Sequence, residues 1–310
     1  MGHKITGYMN ACRKKRVLVI GAAGMLGHKL YQRYKERFEV WATVRSAFAN
    51  YAKYDLFDRK SMVCDIDVCD LGKVAQVVTT VQPDVIINCV GIIKQLPTAK
   101  DPIAALKINS LFPHELANIC KAANCRLIHI STDCVFSGKK GSYTEDDSSD
   151  ATDLYGRSKL LGEIHQAGCL TLRTSIIGRE LYTTSGLVEW FLSNKGGKVK
   201  GFKKAIYTGF TTPALSDIIA NLIENYPDLS GLYHVSSEPI DKYSLLCLFR
   251  DAFGVKIEIG PEYEVQIDRS LDSSRFRSKT GFRPPKWEEM VRKMAEDPTP
   301  YDIWRNTKTK

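Results

Sequence analysis

The sequence predicts an α/β fold: a doubly wound parallel sheet with helices on both faces, and a smaller mixed α/β lobe packed against it. Three observations lead there. Short apolar runs of strand length alternate with stretches of helical periodicity from about Arg16 to Ser175, the order that builds parallel βαβ units. A glycine-rich turn, Gly21-Ala22-Ala23-Gly24-Met25-Leu26-Gly27, directly follows the first apolar run. Beyond Ser175 the alternation loosens, with no repeat, low-complexity tract or linker, so a docked lobe is expected and not a tethered domain. The division falls at 16–175 for the sheet domain and 176–305 for the lobe, an approximate boundary across which the two can interleave.

The elements follow in order. Arg16-Val17-Leu18-Val19-Ile20 has the unbroken apolar character of a strand buried on both faces, and Leu26, Leu30 and Tyr34 begin a helical pattern just after Gly24. Glycines in the turn open backbone conformations closed to other residues and let a pyrophosphate reach the amides at the helix N-terminus, where the dipole favours an anion. Gly21, Gly24, Met25, Leu26 and Gly27 therefore form the expected phosphate turn of a Rossmann-type cofactor domain, although the spacing is G-x-x-G-x-x-G and not G-x-G-x-x-G. The second strand, Phe38 to Val44, ends in Arg45-Ser46, where a site for NADH would place an acid. A basic and a hydroxyl side chain suit a 2′-phosphate, so NADPH is the expected cofactor and NADH the alternative.

Asp65-Ile66-Asp67-Val68 is expected to end a third strand, with Asp67 and Val68 flanking an adenine, and Asp70 to cap the helix bearing Val74, Val77, Val78 and Val81. Val85 to Val90 and Arg126 to Ile130 read as further buried strands; between them Pro102 to Ala123 is helical, with Pro113 predicting a break near Ser110. A polar loop from Tyr143 to Asp153 precedes a helix carrying Tyr155 and Lys159, and Leu170 to Thr174 is expected to close the sheet. The lobe should hold helices at Gly186 to Asn194, Pro213 to Asn225 and Lys242 to Phe253, a strand at Gly231 to Val235, and an amphipathic helix around Trp287, Met290, Val291 and Met294.

Tyr155 and Lys159 stand four apart, one helical turn on the same face. An ammonium beside a phenol favours the phenolate, and such a tyrosine can exchange a proton with a carbonyl or alcohol, the half of a carbonyl reduction that a nicotinamide cannot supply.

Composition removes other classes. A hydrophobic content of 44% is ordinary for a globular protein. No apolar stretch reaches the roughly 18 residues of a membrane span, and the basic N-terminal segment with Lys4 and Arg13 has no apolar leader core; a cytoplasmic protein is expected. Nine cysteines with no C-x-x-C pair match no zinc site or disulfide framework, so no metal is expected. The net charge of +9 is dispersed without an aromatic-basic stripe; a generic solvated surface is its first explanation, and an anionic nucleotide substrate and cofactor suit it better than nucleic acid.

With Asn88-Cys89-Val90-Gly91, Ser131 to Gly138, Tyr155-Gly156-Arg157-Ser158-Lys159 and Leu172-Arg173-Thr174-Ser175 following the glycine turn in order, the chain resembles the extended short-chain dehydrogenase/reductases. Within them it is similar to the dTDP-4-dehydrorhamnose reductase branch, from about Arg16 to about Trp287. The resemblance implies Thr132 as hydrogen-bond donor to the reacting carbonyl, with Ser131 as the substitute, Tyr155 as proton donor and Lys159 on the nicotinamide ribose. It also places Cys89, Val90, Gly91 and Asn109 at the cofactor, Asn109 in a structural role first and a proton relay second. Cys134 stands where that branch often has Tyr and where related 4,6-dehydratases have Glu, which argues against a dehydratase. The implied activity is reduction of a nucleotide-diphospho-4-keto-6-deoxysugar in surface-polysaccharide synthesis. The similarity of Gly91-Ile92-Ile93-Lys94-Gln95 and of Ser131 to Gly138 to reductases of surface-polysaccharide pathways tips the expectation toward a UDP-linked 2-acetamido-2,6-dideoxy-4-ketohexose over a dTDP-4-dehydrorhamnose type. A nucleotide-sugar epimerase and a non-catalytic NADP(H)-binding regulatory subunit, as in methionine adenosyltransferase, are the alternatives, and a homodimer is compatible with any of them.

Overall fold

A computed structural model describes residues 13–94 and 100–306; Lys4 and Gln95 lie outside the described residues. The chain opens with strand β1 (Arg16–Ile20), helix α1 (Met25–Tyr34), β2 (Glu39–Thr43), β3 (Met62–Val63), α2 (Leu71–Val81) and β4 (Val85–Asn88). It continues through α3 (Pro102–Ala105), a π-helical segment (Leu106–Leu111), α4 (Phe112–Ala122), β5 (Arg126–Thr132), α5 (Leu154–Leu161) and β6 (Cys169–Thr174). The second half contains β7 (Ile176–Ile177), α6 (Leu187–Ser193), β8 (Lys198–Tyr207), β9 (Phe210–Thr211), α7 (Thr212–Asn225), β10 (Gly231–His234) and β11 (Ile240–Asp241). It ends with α8 (Lys242–Ala252), β12 (Glu258–Asp268), α9 (Ser274–Thr280), α10 (Trp287–Ala295) and α11 (Tyr301–Asn306).

Among the described residues seven parallel strands form one sheet in the order β10-β6-β5-β4-β1-β2-β3. Val17, Val19 and Ile87 face one apolar core with α1 and α7, and Leu18, Ile20 and Ile86 face another with α2 and α4. The doubly wound fold is as expected. The strand order reverses between β1 and β4, and a crevice at the C-terminal ends of strands at such a reversal is where this architecture receives ligands.

Three expectations are corrected. Asp65 to Val68 is not a strand end: β3 stops at Val63, and Asp65 turns the chain with φ +59°. Leu170 to Thr174 does not close the sheet, because β10 pairs outside it, Gly231 opposite Leu170. The chain thus returns from the lobe to the large sheet, while β11-β8-β12 makes a separate three-stranded sheet against α8. The expected break near Ser110 is a widening of the helix and not a kink. Pro113 has no N–H for the Asn109 carbonyl four residues back, and Gly162 lies so close to that carbonyl that a Cβ there would stand 1.9 Å from it.

Candidate active site

β1 delivers the glycine turn to the crevice. Gly21 has φ +82°, and a Cβ on it would meet Val90 Cγ2 at 2.8 Å, so neither the conformation nor the space admits a larger residue. Gly24 caps α1 with no side-chain hydrogen bond. Met25 is partly exposed, and Leu26 and Gly27 are buried. Cys89 and Val90 follow β4 at the reversal point, and Gly91 lies beside Asn109 Oδ1. Arg45 projects into solvent past the end of β2, its guanidinium 3.7 Å from the Asp67 carboxylate, and Val68 is buried beneath.

β5 delivers the second cluster. It ends in Thr132, whose Oγ1 accepts from the Cys134 amide at 3.1 Å and donates to Asp133 Oδ1 at 3.2 Å. Helix α5 starts at Asp153, which accepts from the Gly156 amide at 2.8 Å and pairs with Lys94 at 2.8 Å. A Cβ on Gly156 would lie 2.2 Å from the Cys134 carbonyl oxygen. That close approach sets the Tyr155 phenol beside the Thr132 side chain. Ser131 points elsewhere, donating to Glu163 at 2.6 Å, because neighbouring strand residues face opposite sides of the sheet.

Lys159 is buried, and its ammonium donates to the Ile130 carbonyl at 2.7 Å. Burial lowers its pKa to about 8, against the opposing charges of Glu163 and Cys89. Burial also raises the Tyr155 pKa, with the neighbouring Thr132 hydroxyl opposing. The expected depression of the Tyr155 pKa by Lys159 is thus outweighed by desolvation of the phenolate. Asn109 is fully engaged: Oδ1 accepts from Ile92 N at 2.8 Å, and Nδ2 donates to Ile92 O at 3.0 Å and Ser158 Oγ at 3.1 Å.

Several cleft residues escaped the sequence. Asp133 is buried with Arg269 and Ser175 close by. The Tyr207 hydroxyl lies near Ser175 and the Asp133 carboxyl, with no well-formed hydrogen bond among the described residues. Lys242, at the start of α8, lies near enough for the charges of Asp133 and Arg269 to act on its ammonium, whose pKa burial lowers. No spacing signal links positions 133, 207 and 242; only the return of the lobe joins them. Burial and the Asp133 charge raise the Cys134 thiol to about 12, so it remains a thiol. Glu145, Asp146 and Asp147 hold His234 N, Arg275 and Lys140 respectively. A separate groove of about 920 Å³ between α1, α7 and α10 contains none of the predicted site residues.

The parallel sheet, the glycine turn at its reversal point and the Thr132–Tyr155–Lys159 cluster define a protein of the extended short-chain dehydrogenase/reductase class. Residues 15–299 match the model of the RmlD substrate binding domain, and the chain belongs to that family. It is 28% identical over 256 residues to methionine adenosyltransferase 2 subunit beta of Mus musculus, covering 78% of this chain and 73% of that protein. It is 27% identical over 297 residues to the spore coat polysaccharide biosynthesis protein SpsK of Bacillus subtilis (strain 168), covering 91% and 97%. A solved structure of a hypothetical dTDP-4-dehydrorhamnose reductase from Sulfolobus tokodaii superposes with TM-score 0.72 at 28% identity, covering 88% of this chain and 98% of that one. No described helix is long and apolar enough to cross a membrane.

Proposed function

We propose that the protein is an NADPH-dependent reductase of a nucleotide-diphospho-4-keto-6-deoxysugar, with the UDP-linked 2-acetamido-2,6-dideoxy sugar preferred over the dTDP-linked one. The observation that carries it is Thr132 at the end of β5 set beside Tyr155 at the start of α5, with the buried Lys159 one turn along that helix. Residues 16–175 hold the cofactor. Residues 176–305 supply the sugar-binding side, with α7 and β10 returning to brace the large sheet. The uncapped N-terminus of α1 fits a pyrophosphate, and the exposed Arg45 fits a 2′-phosphate.

When bound, the nicotinamide supplies a hydride to the sugar carbonyl carbon. Tyr155 Oη supplies the proton to the carbonyl oxygen as charge develops there. Lys159, cationic below about pH 8, favours the phenolate left on Tyr155, and Thr132 steadies the developing alkoxide. Holding the reactants at contact distance removes the entropy of their encounter.

Purified protein should oxidise NADPH in the presence of UDP- or dTDP-linked 4-keto-6-deoxysugars, and Tyr155→Phe should lower kcat by roughly 10²- to 10⁴-fold. No oxidation with any such sugar would sink the reading. The likeness to methionine adenosyltransferase 2 subunit beta favours one second reading, a regulatory subunit that binds NADP(H) without turnover. It predicts NADPH binding, co-purification of an unrelated enzyme, and no effect of Tyr155→Phe on that partner.

A further inference from the structure

We propose that α11 is a strap on the cofactor site: through Tyr301 and Arg305 it fixes the phosphate turn from two sides, so that docking of this helix and binding of NADPH support each other. The inference rests on the glycine turn receiving NADPH in the proposed reductase. Helix α11 (Tyr301–Asn306) lies just past residue 299, where the match to the family model ends.

The first arm runs through α1. His28 Nδ1 faces the Gly24 carbonyl at 2.8 Å and so carries the ring proton, which leaves Nε2 to accept from Tyr301 Oη at 2.8 Å. The Gly24 carbonyl also accepts from the His28 amide at 3.1 Å. A planar trans peptide carries that carbonyl at one edge and the Met25 N–H at the other. Met25 is the first residue of α1, where an amide has no partner inside the helix. Holding the carbonyl therefore aims a free amide at the place a pyrophosphate would take.

The second arm runs through the segment between β7 and α6. Arg305 binds the Glu189 carboxylate and the carbonyls of Glu180 and Thr183. Arg179, in the same segment, pairs with Glu189 at 2.7 Å and with Asp302 of α11 at 2.5 Å. Glu180 Oε2 accepts from the Gly186 amide at 2.9 Å, and a Cβ on Gly186 would stand 2.7 Å from Met25 Cε. The segment that α11 holds is thus packed on Met25, the residue whose amide the first arm aims. Trp304 adds an edge contact with Tyr54, in the stretch between β2 and β3, at 5.3 Å between ring centroids.

Tyr301 and Arg305 meet no cofactor atom in this scheme, so they are positioning residues. A turn already held in its binding geometry leaves less to order when the cofactor arrives. Such coupling is reciprocal: if a docked α11 raises the affinity for NADPH, bound NADPH tightens α11 by the same factor. A helix that only stabilised the fold would show no such response.

The test has two readouts on the full chain. The first is the NADPH Kd of the wild type, Tyr301→Phe and Arg305→Met, by fluorescence titration. Tyr301→Phe keeps the ring and removes only the hydroxyl that His28 accepts from; each variant should bind NADPH about tenfold more weakly. The second is hydrogen–deuterium exchange of the wild type with and without NADPH, which should slow the α11 amides more than those of α10. If Arg305→Met does not fold, Tyr301→Phe and the exchange decide the matter. A wild-type Kd in Tyr301→Phe, or α11 exchange that NADPH leaves unchanged, overturns the strap while NADPH binding by the wild type keeps the cofactor reading. A wild type that binds no NADPH overturns the reading of the glycine turn itself.

Discussion

Two of the polar clusters buried in the molecule are partnered in opposite ways. Where α11 crosses α1, Lys29 pairs with Asp297 at 2.5 Å, His28 Nε2 meets Tyr301 Oη at 2.8 Å, and Glu189 is held by Arg179 at 2.7 Å and by Arg305. Every charge there faces an opposite one. In the cleft, Asp133, Tyr207, Cys134 and Lys242 are crowded together, yet Lys242 forms no ion pair with the protein among the described residues and the Tyr207 hydroxyl has no partner. Burying polar groups without partners costs stability, and a fold tolerates that where a ligand completes the set. The first cluster ties α11 to α1; the second leaves polar groups that a ligand could complete.

The largest effect that this contrast predicts is in the paired cluster. Glu189→Ala removes the buried carboxylate that Arg179 and the partly buried Arg305 share, leaving Arg179 with the exposed Asp302 at 2.5 Å, and breaking a buried pair from one side costs about 3–5 kcal/mol. Urea unfolding should show a loss of that size, whereas Lys242→Met in the cleft should be neutral or stabilising. Equal losses for the two would erase the distinction.

A smaller effect comes with pH. Burial lowers the His28 pKa to about 3, against the hydrogen bond to the Gly24 carbonyl. The unfolded chain takes up a proton below about 6.5 while the folded one does not, so this contribution is full above 6.5 and is lost as pH falls toward 3, by at most about 1.4 kcal/mol per unit. The stability of the wild type should fall more steeply over that window than that of His28→Gln. Parallel slopes would mean that the imidazole charges freely in place.

What the sequence exposed was local. Val17 to Ile20 is apolar throughout because both faces of β1 are covered, and that same run fixes the glycine turn at its end. Asp70, Tyr155 and Lys159 were legible because caps and helical spacing are properties of neighbours in the chain. The outermost strand was misread because nothing in Leu170 to Thr174 states that Gly231 to His234 will return beside it. Asp133 was passed over for a similar reason: its character depends on Ser175, Tyr207, Lys242 and Arg269, brought from four separate segments.

Arg45 belongs to neither cluster and predicts the smallest effect. Its side chain is 81% exposed and its contact with Asp67 is 3.7 Å long, a pairing worth little in water. Its charge is therefore available to a 2′-phosphate at almost no cost to the fold. Arg45→Ala should leave the unfolding midpoint unchanged and weaken NADPH binding by about tenfold or less, near 1.4 kcal/mol, with NADH binding unaffected. An equal loss for both cofactors would assign Arg45 to the shape of the adenine pocket and not to the phosphate. A loss of stability would mean that the Asp67 contact does more than its length and exposure allow.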